Sequence, residues 1–271
     1  MKKSLDFVSG EFSGKMIRLC RSWSWVLDSF SPDWEKLSRT ELLQENGPSE
    51  MIWSTKQKFV LKVHTPENRV VAYKTYRYIK HPRSYIFRPS PTGLEALNYA
   101  ALQKMGLPMA KLLAVGETRK FCFVKTAFLI TEFVASSLDG TAFLPGKEYA
   151  LNQAYLEEFC TKNLSYLALL HDHGVIHNGS APYNMLWKEK CAADRKEGDC
   201  LDVIWIDVAT CRRISAGKGF IRKVGQDLAK FLIPFAFSKD ELLSWVNFYC
   251  SKVHYAEKES LAGILSAALK Q

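Results

Sequence analysis

The sequence has no C-x-x-C pair, and its seven cysteines are scattered and odd in number. That pattern excludes a disulfide framework and a zinc ribbon, and it points to a reducing compartment. Cys191 and Cys200 flank one charged loop, and nothing else suggests oxidation. No apolar run reaches the ~18 residues of a membrane span. Met1-Lys2-Lys3 is basic, but Asp6 and Glu11 follow at once, so no signal-peptide core is expected. No internal repeat is visible. These absences exclude secreted, membrane-spanning and solenoid classes and lead us to expect a cytoplasmic protein, soluble or peripheral to a membrane.

What is present is ordinary for a globular chain. Apolar residues make up 47% and charged residues 24% of 271 residues, enough for a sizeable core. The net charge of +9 favours anionic partners. Nucleic acid is not expected among them, because charge alone supports it and no recognition motif accompanies the charge.

The organisation changes along the chain. Met16, Leu19, Cys20, Trp23, Leu27 and Phe30 recur at helical spacing, so residues 1–47 are expected to form a helical extension, closed by Gly47-Pro48. Three short β-branched or aromatic runs follow, at Met51 to Trp53, Phe59 to Val63 and Val70 to Tyr76. With turns at Thr55 to Lys58 and Thr65 to Asn68, they predict an antiparallel meander. A helix is expected from Pro91 to Met105, stopped by Gly106 and Pro108. Strands at Leu112 to Gly116 and Phe121 to Phe133 complete a nucleotide-binding N-lobe over 48–135. Residues 136–271 then read as a mostly helical C-lobe, with a long helix over Tyr149 to His173 and short strands at Met185 to Trp187 and Val203 to Ile206. A β-rich half followed by a helix-rich half is an α+β arrangement, in the order of a kinase's two lobes.

The chemistry-bearing residues fall in that order too. Val71-Ala72-Tyr73-Lys74 fits the strand motif whose lysine contacts the α and β phosphates of ATP. Lys62 competes for the role. Lys74 is preferred because it lies on the third strand, directly ahead of the helix carrying Glu95, the natural ion-pair partner. His177 and Asn184 keep the spacing of a kinase catalytic loop, with Asn184 as a metal ligand. Val203 to Ile206 is an apolar strand that ends in Asp207, the expected holder of Mg²⁺ against the phosphates. Two further absences qualify this reading. The turn Ser54 to Lys58 has no glycine to cover phosphates. Gly179 stands where the loop should carry its aspartate base. Losing a positioned base typically costs ~10²- to 10⁴-fold in rate. Asn178 and Ser180 cannot replace it at neutral pH, and Asp172 sits at a helix end, away from the loop.

Phe87-Arg88-Pro89-Ser90, Gly106-Leu107-Pro108, Ala114-Val115-Gly116-Glu117, the catalytic-loop approach Gly174-Val175-Ile176-His177 and Gln226-Asp227-Leu228-Ala229 resemble the lipopolysaccharide core kinases of the Kdo/WaaP type. Phe128 to Glu132 resembles that family's strand into the hinge, which puts Glu132 beside the nucleotide. The resemblance covers roughly residues 50 to 250. It implies a protein-kinase-like fold, ATP and Mg²⁺ as cofactors, and phosphorylation of a sugar hydroxyl of the lipopolysaccharide core at the inner membrane. A basic run, Lys80, His81, Arg83 and Arg88, reads either as a solvated loop or as a contact for an anionic membrane or glycolipid. Because of Gly179 a second reading stays open: a pseudokinase that holds nucleotide without turnover.

Overall fold

The computed structural model describes residues 7–12, 15–20, 49–55, 58–64, 70–76, 85–86, 89–120, 123–196 and 199–254. The chain divides into two compact units, residues 1–99 with 110–135, and residues 100–109 with 136–271.

The first unit is built on a seven-stranded antiparallel sheet. Its strands are β1 (Phe7–Phe12), β2 (Lys15–Cys20), β3 (Ser49–Ser54), β4 (Lys58–His64), β5 (Val70–Tyr76), β6 (Leu112–Lys120) and β7 (Phe123–Glu132), in the spatial order β1-β2-β6-β7-β5-β4-β3. The meander β3-β4-β5 is as expected. The N-terminal segment is not. Lys15–Cys20 pairs with β1 and β6 as a strand, where helical periodicity had placed the start of a helix. The run Lys15 to Cys20 does not alternate polar and apolar residues, so its strand form follows from pairing with β1 and β6 and overrides the local period. The rest of that extension, 21–48, lies outside the described residues, as do Lys80, His81, Arg83 and Arg88.

In β4, Phe59, Leu61 and Val63 are buried while the residues between them are less so. This is the two-residue period of a pleated strand. Tyr73 stacks on Phe128 with ring centroids 6.0 Å apart. Helix α1 (Pro91–Lys104) follows β5 in the chain. Pro91 opens it with a φ suited to the first turn. Ser90, fully buried, caps it: its Oγ accepts from the Gly93 N–H at 3.1 Å. Glu117 on β6 accepts in turn from the Ser90 N–H. The helix stops as the sequence indicated. Gly106 takes φ +93°, and the Leu107 N–H donates back to Leu102 O.

The second unit is organised by α2 (Gln153–Asp172), which turns Leu156, Phe159, Leu164, Leu167 and His171 inward. A hairpin of β10 (Met185–Glu189) and β11 (Leu201–Trp205) lies on it, with β8 (Leu138–Asp139) on the other side of β10. Buried Asn163 on α2 accepts from the Trp205 indole N–H at 2.7 Å. Glu158 accepts from the Cys200 and Leu201 N–H groups, and Lys162 pairs with both Glu158 and Asp199. These bonds fix the hairpin to the helix. Strands β9 (Val175–Ile176) and β12 (Arg212–Arg213) pair with each other. Helices α3 (Lys218–Leu232) and α4 (Lys239–Lys252) complete the unit, α4 starting from a Ser238–Glu241 capping box.

Candidate active site

The first unit contains a buried ion pair. Lys74 on β5 places its Nζ 2.9 and 3.0 Å from the two carboxylate oxygens of Glu95 on α1. Lys74 is 8% exposed and Glu95 1%. Burying two charges is expensive, and a pair of this kind is weak grounds for stability but good grounds for a function. Its rival, Lys62, is paired instead with exposed Glu50 at 3.2 Å and lies over the Phe133 ring. Glu132 ends β7 with an exposed side chain, while its N–H donates to Lys111 O.

The second unit contains the loop between β9 and β10. Its shape is held from below by Asp227 on α3, which is 1% exposed. Asp227 accepts from the backbone N–H groups of His177 (2.7 Å) and Asn178 (2.9 Å), and the Ser180 hydroxyl donates to the Asp227 carbonyl at 2.7 Å. His171 lies 3.4 Å from the same carboxylate and 2.6 Å from the Tyr249 hydroxyl. Burial would raise the Asp227 carboxyl; the His171 ring and the donated N–H groups outweigh it and hold the group below the usual carboxylate range. The sequence carried a signal for this residue, since Asp227 is an acid on the apolar face of a predicted helix.

His177 is fully buried. Its Nδ1 accepts from the Gly179 N–H at 3.1 Å, so the ring proton sits on Nε2. That atom has no hydrogen-bond partner among the described residues. Burial lowers the imidazole to about 4. With its basic nitrogen engaged and its ring neutral, His177 braces the loop and cannot serve as a base. The Thr210 hydroxyl donates to His177 O at 2.8 Å, and the Asn178 side chain donates to Thr210 O at 3.0 Å. Asn178 itself takes φ +60°.

Gly179 is not in a left-handed conformation. A Cβ built there would lie 3.2 Å from the Thr210 hydroxyl, 3.4 Å from His177 Nδ1 and 3.5 Å from Asn184 Nδ2. The space for a side chain is therefore nearly present. Asp172 does not fill the missing role: its carboxylate accepts from the His254 N–H and ring, both at 2.7 Å.

Asn184 donates its Nδ2–H to Gly179 O at 2.8 Å. A carbonyl partner fixes the amide orientation and leaves Oδ1 as its acceptor. The hairpin register pairs Met185 with Trp205, and the Ile206 N–H donates to Asn184 O. Asp207 follows directly, turned by φ +51°. Among the described residues no group of three or more His, Cys, Asp or Glu side chains could hold a metal alone. Asp207 offers a carboxylate and Asn184 an amide oxygen, donors of the kind Mg²⁺ takes alongside water and phosphate.

Neither the known protein families nor the curated proteins contain a match to this sequence. Solved structures do match. A structure of WaaP in complex with acyl carrier protein aligns over 83% of this chain and 88% of its own, at TM-score 0.58 and 16% identity. The fold is protein-kinase-like. A Stt7 homolog from Micromonas algae soaked with ATP aligns over 60% of this chain and 48% of its own, at TM-score 0.41 and 16% identity.

Proposed function

We propose that this protein binds Mg²⁺ and ATP and transfers a phosphoryl group, slowly, to a sugar hydroxyl of the lipopolysaccharide core. The observation that carries the reading is the buried Lys74–Glu95 pair. Holding an ammonium at a fixed place inside a protein suits the phosphates of a nucleotide. Asn184 and Asp207 would hold the metal, and Glu132 would lie beside the nucleotide. Bound Mg²⁺ neutralises charge on the phosphates. His177, Asp227 and Thr210 hold the loop that presents Asn184.

Phosphoryl transfer depends mainly on positioning and electrostatics. A centre without a base is therefore slowed, not abolished. Gly179 also supports a second reading, a pseudokinase that holds nucleotide without turnover, since the carboxylates of Asp172 and Asp227 are engaged elsewhere. Peripheral attachment at the cytoplasmic face of the inner membrane accompanies either reading. An acyl carrier protein, the partner of the WaaP structure, is a further candidate partner.

Calorimetry should show Mg²⁺-dependent ATP binding that is lost in Asp207→Ala. Equal binding by both proteins would remove the assignment. Turnover on purified lipopolysaccharide core then separates the two readings. Gly179→Asp should raise phosphoryl transfer by ~10²-fold or more, the usual contribution of a positioned base. If neither protein turns over while ATP stays bound, the pseudokinase reading stands.

A further inference from the structure

The segment from β12 through α3 has an unusual surface. Arg212, Arg213, Lys218, Arg222 and Lys230 are exposed and Lys223 is half-buried. The one acid in the same stretch, Asp227, is buried and committed to the catalytic loop. None of these cations takes part in an ion pair among the described residues. Elsewhere in this unit some basic side chains are matched, Lys162 and Lys190 with Asp199 and Arg195 with Glu189, while others such as Lys147, Lys239 and Lys252 are in no ion pair among the described residues.

The charges are also aligned. Lys218, Arg222, Gln226 and Lys230 follow each other at intervals of four along α3, so they share one slowly winding helical stripe. Both β12 and α3 pack on the short strand β9, which brings Arg212 and Arg213 beside the helix. The stripe ends at the site. Lys230 Nζ donates to Asn178 O at 2.5 Å, next to Gly179. One turn further on, Ile233 is 55% exposed, followed by exposed Pro234.

We infer that this stripe is the surface with which the protein docks on an anionic membrane. The inference rests on the proposed membrane-borne acceptor, and it names the contact surface. Unpaired, aligned cations that end in an exposed aliphatic side chain suit the boundary between phosphate headgroups and acyl chains. A polynucleotide would be better served by aromatic platforms among the cations, and this stretch exposes none. Docking through α3 would set the catalytic loop, which Lys230 touches, at the level of the headgroups where a lipid-linked sugar is found.

The test uses the full chain and co-sedimentation with phosphatidylcholine vesicles, with and without phosphatidylglycerol. Binding is expected only to the anionic vesicles and should weaken as salt rises. Arg212→Gln, Lys218→Gln and Arg222→Gln combined should weaken partitioning by ~10²-fold, about fivefold for each charge removed. The control replaces exposed Lys147, Lys239 and Lys252 by Gln. Both variants lower the net charge equally, and the control should lose little. Equal loss in both would overturn the inference in favour of bulk charge. An absence of binding by the wild type would also overturn it. So would unchanged vesicle binding with loss of single-stranded RNA binding in the stripe variant. Mg·ATP binding, measured on the same proteins, should not change, so failure of the docking surface and failure of the kinase reading are distinguishable.

Discussion

The sheet unit and the helical unit each bury charge, but they use it differently. In the first, Lys74 and Glu95 neutralise each other across a strand and a helix. In the second, Asp227 is spent on the backbone N–H groups of His177 and Asn178, where it defines the path of the loop. One buried charge is matched by a side chain and the other by backbone N–H groups. The comparison explains how the loop keeps its shape with glycine at 179. The bonds that shape the loop come from Asp227, His177 and Thr210, and none needs a side chain at 179. Frame and chemistry are separable in this fold.

The largest effect should come from breaking the sheet unit's pair on one side. Glu95→Ala leaves Lys74 buried without its carboxylate and should destabilise the protein by about 3–5 kcal/mol in urea titrations. Lys74→Met combined with Glu95→Leu removes both charges and should recover most of that loss. A double variant as unstable as the single one would show that the pair is structural, and the contrast between the units would disappear.

Acid should act on the helical unit next. His177 has a folded value of about 4 against 6.5 in the unfolded chain, so the unfolded state binds more protons between them. Its contribution is present in full above about pH 6.5 and is lost as pH falls towards 4, by up to about 3 kcal/mol. The depressed Asp227 carboxyl works in the same direction lower on the scale. Thermal melts from pH 7 to 4 should slope less steeply in His177→Phe. Parallel slopes would mean that His177 titrates normally.

Smaller effects separate glycines that packing requires from the one at the site. A Cβ at Gly116 would come within 2.2 Å of the Phe128 ring. Gly116→Ala should therefore cost about 1–3 kcal/mol through overpacking. Gly179→Asp should be nearly silent in a melt, within about 1 kcal/mol, because only the Thr210 hydroxyl must give way by a few tenths of an ångström. A large loss there would show that the glycine is structural, and the rate comparison would then need another variant.

Much of this was legible in the chain. The order of strands and helices from Met51 onward, the Ser90-Pro91 start and Gly106-Leu107-Pro108 stop of α1, and the pairing of Lys74 with Glu95 all follow from local rules. Periodicity, caps and the position of a lysine ahead of a helix act over a few residues, and they survive into the fold. The N-terminal strands were not legible. Met16 to Cys20 shows no two-residue alternation, and its pairing with β6, about a hundred residues away in sequence, overrides the helical spacing.

The sequence by itself determined the two-part α+β order, the loop spacing from His177 to Asn184 and the missing acid at 179. Tertiary structure alone decided what those residues do. It took the fold to bury His177 with its Nδ1 occupied, to bring Asp227 from α3 beneath a loop fifty residues earlier, to bind Asp172 to His254, and to leave the cations of α3 unpaired on one surface. Local propensity sets which segments can form. Burial and hydrogen-bond partners depend on which distant segments meet, and no short-range pattern encodes that.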